Sequence, residues 1–516
     1  MTKQKVILEK AKWENLYAQM VSLIPEAFDS EGHPLNLIQG QWQESGNHKP
    51  FSSSIDGTLL GVYPNINLDT CKLAVKYSHE ESIAWSQVDL PTRKAKVAQT
   101  LQDIKAQKEL IAYLLVWEIG KPYDQCLDSV DRCVDGVQWY IDHIEEMLGD
   151  RKPIGVVSNI ASWNYPLSVL VHACLIQVLC GNAAVAKTPS DGGLFSLTVS
   201  FALAKRNGLP LTLVSGSGGA LSEALVKNDH IDCLAYVGGK SNGRNIVASL
   251  YDKNKRYMLE MEGVNAYGIW NYSDWDVLMK QLKSGFKYGK QRCTAYVRLV
   301  IQRSLFPDFL EAYLSMLKSL TYGHPLLVNE GDTEPPQVDF GPLINSKKAE
   351  EVDEMYHDAI GKGAVSLYRG KINPENFLAH QDISAYYPPS ALLNVPTNAK
   401  LYHNEPFGPL DSIVLVDSVE ELIAEMNISN GCLVSSIACD DLHEAKVIAG
   451  QLRGYKVGIN KVRSRGDKEE SFGGIGESWK GCFVGGKYLV QAVTVGEPGE
   501  QLYGNFPEYT LLPKRD

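Results

Sequence analysis

The sequence has no Cys-x-x-Cys pair and no close His/Cys grouping, so the usual zinc spacings are missing and no metal site is expected. It has no surplus of positive charge either. Lys and Arg total 50 against 61 Asp and Glu, a net charge of −11, so the broad basic footprint of a nucleic-acid binder is absent. No apolar run is long enough to span a membrane: the most apolar stretch, 166–186, is interrupted by His172, Gln177 and Asn182, and reads as a buried helix followed by a strand. The opening Met1-Thr2-Lys3-Gln4-Lys5 lacks the apolar core of a signal peptide, so the ten cysteines are expected to be reduced thiols in a cytoplasmic protein. Internal repeats and low-complexity tracts are absent. Two phosphate-binding signatures also fail. Gly216-Ser217-Gly218-Gly219 is not G-x-G-x-x-G, and Gly238-Gly239-Lys240-Ser241 would need a glycine where Leu234 stands to close a Walker loop. A helix beginning at that second site can still cradle a pyrophosphate.

What is present is a long alternation. Residues 1–30 read as an amphipathic helix, and 36–63 as short strands and turns. Pro91 to Gly120 is helical in pattern, and a second helix at 123–148 carries Arg132. From Pro153 short β-rich runs appear at 153–160, 183–187, 211–215, 232–237 and 257–261, with helical segments of 10–15 residues between the first four. That alternation predicts a parallel, doubly wound α/β sheet of Rossmann type, with ligands beyond the carboxyl ends of its strands. A second α/β pattern has strands at 296–302, 411–417 and 433–439. The expected division is a cofactor-binding domain at 1–264, with 456–486 returning to it, a catalytic domain at 265–455, and a turn-rich tail at 487–516 that packs on the body or on a partner subunit.

Chemistry is sought at those strand ends. Cys293, in Gln291-Arg292-Cys293-Thr294-Ala295, follows a helix-like stretch and precedes a strand, and Arg292 beside it favours a thiolate. A thioester on that sulfur needs a base to activate water, and Glu260 closes the strand Tyr257-Met258-Leu259-Glu260. The tetrahedral oxyanion needs donors, which the Asn164 side chain and the Cys293 backbone N–H can supply.

With these residues in place, ordered motifs along nearly the whole chain resemble the aldehyde dehydrogenase superfamily. They are Ser162-Trp163-Asn164-Tyr165-Pro166, Gly181 to Lys187, Asn207-Gly208-Leu209-Pro210, Leu259-Glu260, Gln291 to Ala295, Phe340 to Ile344, Glu405 to Pro409, and Val457-Gly458-Ile459-Asn460. The resemblance implies Cys293 as nucleophile, Asn164 as oxyanion donor and Glu260 as deacylating base. It implies that Trp163, Lys187, Ser190, Gly238, Gly239, Glu405 and Phe407 bind a nicotinamide dinucleotide. Ser190 stands where NAD-preferring members often carry Glu, so NADP is expected, with NAD possible. Within the superfamily the chain is most similar to the non-phosphorylating glyceraldehyde-3-phosphate branch. That likeness implies that Arg132, Tyr165, Arg292 and Arg465 hold an anionic substrate. Three guanidiniums converging on one pocket would be costly without an anion. The implied reaction oxidises glyceraldehyde 3-phosphate, or another sulfonated, carboxylated or neutral aldehyde, to the acid. The implied assembly is a homo-oligomer, dimer or tetramer.

The chain also departs from the resemblance. Glu262 replaces a glycine, Tyr288 a small or amide residue, Lys290 another glycine, and Val237-Gly238-Gly239 a Thr- and Ser-bearing turn. Ser478-Trp479 stands where Ser-Gly is frequent, and the segment between Met147 and Pro153, an oligomerisation hairpin in relatives, is short. Glu262 and Lys290 are expected to form a compensating ion pair. A remodelled cofactor pocket, as in a nucleotide-binding pseudoenzyme or structural subunit, is the competing expectation.

Overall fold

The computed structural model describes residues 4–506, apart from 45, 251, 252, 254, 430 and 467. In the first of two large sheets, five parallel strands run side by side: Leu211–Val214, Ala183–Lys187, Val156–Ile160, Cys233–Gly238 and Arg256–Met261. Numbered by position in the chain, their order is 3-2-1-4-5, which reverses between Val156–Ile160 and Cys233–Gly238. A reversal of this kind opens a crevice at the carboxyl ends of the strands. The strands are apolar along most of their length because helices cover both faces. Antiparallel strands extend the sheet, Asn36–Ile38 and Gln41–Gln43 on one side and Trp479–Cys482 and Gly504–Asn505 on the other. The doubly wound α/β expectation holds, with one difference: the third crossover contains only the short helix Ser222–Leu225.

The second sheet has seven strands, ordered Val365–Arg369, Ser390–Leu393, Leu410–Val416, Tyr296–Gln302, Asn265–Ile269, Val434–Ala438 and Lys456–Ile459. All are parallel except the first, which runs against Ser390–Leu393. The return expected at 456 therefore comes later. Lys456–Ile459 alternates buried and half-buried residues, as suits an edge strand, and pairs with Val434–Ala438; within 456–486, Trp479–Cys482 is the strand that rejoins the first sheet.

Local signals explain several element boundaries. The stretch from Pro91 to Gly120 forms two helices, Leu90–Ala106 and Lys108–Ile119. Asp89 caps the first, its carboxylate accepting from Thr92 N at 2.8 Å. Gly120 ends the second with φ +67°, and a Cβ there would meet Pro342 Cγ at 2.6 Å. The predicted helix Tyr123–Leu148 follows. Only Trp13–Leu23 of the N-terminal segment is α-helical; Lys5–Ile7 pairs instead with Leu327–Asn329, and residues 1–3 lie outside the described ones. The apolar stretch becomes a π-helical turn, Pro166–Val171, then helix His172–Leu179 and strand Ala183–Lys187. Among the described residues no helix is long and apolar enough to cross a membrane. In the tail, helix Lys487–Ala492 and Thr494–Val495, paired with Lys152–Pro153, pack on the body, while 507–516 lie outside the described residues.

Candidate active site

A cavity of about 880 Å³ opens at the carboxyl ends of the first sheet's strands, a size suited to a small ligand with its cofactor. Asn164, Glu260 and Cys293 line it, although 96 and 33 residues of chain separate successive members of the trio (260 − 164 and 293 − 260). Trp163, Gly238, Gly239 and Phe407 line it as well, and so do Arg132, Tyr165, Arg292 and Arg465. Lys187, Ser190 and Glu405 do not line it.

Cys293 is delivered by an unusual piece of backbone. Tyr288, Gly289 and Lys290 have φ of +60°, +60° and +58°, a left-handed run that non-glycine residues rarely adopt. Buried contacts hold it. Tyr288 Oη donates to Ile119 O at 3.0 Å. The Lys290 ammonium, 2% exposed, donates to Tyr296 O at 2.8 Å and pairs with the buried Asp411 carboxylate, which also accepts from Tyr313 Oη at 2.6 Å. Gln291 bridges to the neighbouring loop, donating to Pro342 O at 3.2 Å and accepting from Ile344 N at 2.9 Å. The expected Glu262–Lys290 pair does not form. Asp411 sits inside the fold beside Lys290, whereas the Glu262 carboxylate accepts from Lys240 N at 3.2 Å.

Asn164 is buried, and its Nδ2 donates to Gln291 O at 3.0 Å. An amide nitrogen carries two protons, so one remains for an oxyanion. Behind it lies Lys121, a residue that sequence patterning missed. Its ammonium donates to Asn164 O at 2.9 Å and sits 4.0 Å above the Tyr165 ring and 4.5 Å from the Tyr288 ring. Burial pulls its pKa down to about 7, helped by Arg132 and Arg292.

Glu260 is 1% exposed, and Arg465 Nη1 reaches its Oε2 at 2.7 Å. Its other oxygen has no hydrogen-bond partner among the described residues. Burial and then the Glu260 charge push the Cys293 thiol well above the usual thiol range, against the pull of Arg465. Arg292, expected to favour the thiolate, is engaged elsewhere. Its guanidinium turns away to Ser284 O at 3.2 Å and Gly285 O at 2.7 Å. A thiol held high is brought into play, as thiolate, by raising the pH. The rate of the first, oxidative turnover should climb from neutral into alkaline solution, and Glu260→Gln should move that climb to lower pH; rapid-mixing kinetics across pH will show it, and an unmoved limb would refute the Glu260 influence.

The arginine cluster also differs from expectation. Arg465 is neutralised by Glu260, Arg292 is held by two carbonyls, and Arg132 is exposed, with no acidic partner among the described residues. The burial cost anticipated for three bare guanidiniums is thus largely avoided. His172 joins them in the cavity lining. Burial, Arg465 and Lys468 hold its imidazole down to about 3, so it is neutral in ordinary solution.

Two residues away from the cavity show cofactor-like preparation. Lys187 ends its strand buried, donating to Thr188 O at 2.8 Å with Ser190 Oγ at 3.5 Å, and burial lowers its pKa to about 8. Glu405 is buried, accepts from Gly263 N at 3.2 Å through one oxygen and leaves the other without a partner among the described residues. Trp163 and Phe407 meet edge-on at 5.9 Å, Phe407 with φ +48°. Ligand atoms of Asp29, His33 and His48 gather within 4.8 Å, a grouping unseen in the sequence because His48 arrives on a separate hairpin. There His33 Nδ1 already faces Asp29 at 3.2 Å.

The model of the aldehyde dehydrogenase family matches residues 42–495. The chain is 26% identical over 475 residues to an NADP(+) succinate-semialdehyde dehydrogenase of Escherichia coli, covering 88% of this chain and 95% of that protein. It is 25% identical over 427 residues to an NADP(+) D-glyceraldehyde dehydrogenase of Picrophilus torridus, covering 78% and 83%. Among solved structures, an NADP-dependent glyceraldehyde-3-phosphate dehydrogenase from Bacillus halodurans, complexed with NADP, is similar with a TM-score of 0.81 and 26% identity, covering 90% of this chain and 98% of that one.

Proposed function

Since the chain belongs to the aldehyde dehydrogenase family, we propose that it oxidises a short anionic aldehyde to the acid through a thioester on Cys293, with glyceraldehyde 3-phosphate the first candidate and a carboxylated semialdehyde the second. The observation that carries this reading is the meeting of Cys293, Glu260 and Asn164 in one cavity, with the Glu260 charge acting directly on the Cys293 thiol. The Cys293 thiolate adds to the carbonyl carbon. The resulting oxyanion takes hydrogen bonds from the remaining Asn164 Nδ2 proton and from the Cys293 N–H. The dinucleotide, NADP with NAD possible, supplies the hydride acceptor. Loss of hydride leaves a Cys293 thioester. Glu260 Oε1, free of other partners, takes a proton from the water that attacks it, and the acid departs with the thiol restored.

The residues present suit such a cofactor. Glu405 has a buried oxygen still to satisfy, and a side chain at Gly239 would meet nothing within 4 Å. Lys187, Ser190 and Glu405 would hold its ribose groups, Gly238 and Gly239 its phosphates, and Trp163 and Phe407 would pack beside it. The same reading takes the protein as a cytoplasmic homo-oligomer, dimer or tetramer, in keeping with ten cysteines that are all free.

Formation of reduced nicotinamide with glyceraldehyde 3-phosphate, with and without thiol alkylation, tests the reading. Turnover that survives alkylation, or none with any short aldehyde under either cofactor, refutes it. Substrate charge separates the arginines. Arg132→Ala should raise KM about tenfold for anionic aldehydes while sparing neutral ones, since a charge-assisted contact is lost. Arg465→Met should also lower kcat for every aldehyde, because it strips Glu260 of its partner. Equal KM changes on neutral and anionic substrates would remove Arg132 from substrate recognition.

A further inference from the structure

In a doubly wound sheet, the helix that opens just past a strand at the topological reversal offers free backbone N–H groups and the positive end of its dipole to a phosphate. Here that helix is Lys240–Leu250, which follows strand Cys233–Gly238 across Gly239. The helix start is not free. Glu262, one residue beyond the neighbouring strand Arg256–Met261, turns its carboxylate onto Lys240 N at 3.2 Å. Its backbone is fixed for this by Ser478, whose Oγ donates to Glu262 O at 2.8 Å and whose own carbonyl accepts from Met261 N at 2.9 Å. Glu262 and Gly239 share the cavity lining. A second buried carboxylate stands close by: Glu405, 4% exposed, has one oxygen without a partner among the described residues, and its other oxygen accepts from Gly263 N, next to Glu262. The repulsion between the two is strong enough to add to the effect of burial in raising Glu405's pKa.

We propose that Glu262 is a built-in anionic competitor for the dinucleotide diphosphate. It occupies a donor at the helix start and adds a negative charge where the diphosphate would lie, so the cofactor binds only as the carboxylate swings aside. Lys347 and Lys348 share that cavity lining with Glu262, and Lys240 stands at the helix start itself, so the cavity holds cations for a displaced carboxylate. The competition makes cofactor affinity weak and sensitive to the charge at this one position. This inference rests on the dinucleotide reading above.

The test is direct binding of NADPH and NADH to the full-length protein without aldehyde, followed by fluorescence. Glu262→Gln keeps the size and an acceptor but removes the charge, and Glu262→Gly removes the competitor altogether. Both should bind NADPH on the order of tenfold more tightly than the unaltered protein, with the glycine variant the tighter. The thermal midpoint of each variant without nucleotide checks that it folds; if Glu262→Gly unfolds, Glu262→Gln alone decides. Unchanged or weaker binding in Glu262→Gln overturns the inference and leaves the dinucleotide reading standing. Absence of binding by every form, with folding intact, overturns both.

Discussion

Replacing Glu260 with Gln will permit one oxidation per site and suppress the next. Acylation needs the Cys293 thiolate and the oxyanion donors; the change leaves the donors in place and, by removing the Glu260 charge, eases formation of the thiolate. Deacylation needs a proton acceptor for water, and Glu260 Oε1 is the buried carboxylate oxygen in the cavity with no hydrogen-bond partner among the described residues. The steady-state rate should fall on the order of 10²- to 10⁴-fold, the usual contribution of a general base. The first turnover should remain visible as a burst of reduced nicotinamide equal to the number of sites, followed by accumulation of acylated protein detectable by intact-mass spectrometry. A variant that loses the burst in proportion to the steady rate would show that Glu260 acts before the thioester, and the division of labour proposed here would fail.

Breaking the Lys290–Asp411 pair from one side will cost about 3–5 kcal/mol of stability, the range for stripping a partner from a buried charge. Asp411→Leu leaves the ammonium buried beside Tyr296 O, with the Phe286 ring 4.2 Å away. Lys290→Met leaves the carboxylate with Tyr313 alone. The double variant Lys290→Met, Asp411→Leu should recover most of the loss, because apolar groups of similar volume satisfy the site without charge. Denaturant midpoints of the three proteins decide the matter. If each single change costs below about 1 kcal/mol, or if the double variant simply sums the two, the pair is not the anchor of the left-handed run before Cys293.

The fold was legible where physics is local. Val156–Ile160 and Ala183–Lys187 announce themselves because strands buried on both faces are apolar along most of their length, and Pro91 and Gly120 punctuate helices through their own backbone preferences. The trio at the cavity was legible from strand ends and the order of the motifs. What escaped was the choice of partner. Lys290 was assigned to Glu262 because both are new charges near one another in the family's fold, but its mate lies 121 residues away on a strand of the second sheet. Arg465 was read only as a substrate contact; it lines the cavity, and the fold also pairs it with Glu260, 205 residues earlier in the chain. Lys121, just past Gly120, drew no notice as a site residue in the sequence and became a cation stacked between two tyrosines. His172 was noticed only as a flaw in an apolar run, and it lines the cavity. Such pairings are decided by which groups desolvation forces together, and no window of sequence contains both members.

The left-handed run also constrains ancestry. A glycine at 290 would accept φ +58° without strain, but it would orphan the Asp411 carboxylate; an apolar residue at 411 would strand the ammonium of Lys290. Each single step between the two states crosses a poorly folded intermediate. Lineages should therefore have changed both positions together or neither, so descendants of a common ancestor will carry lysine at 290 with an acid at 411, or glycine at 290 without one. A family tree in which the two positions vary independently would show that the passage was open after all.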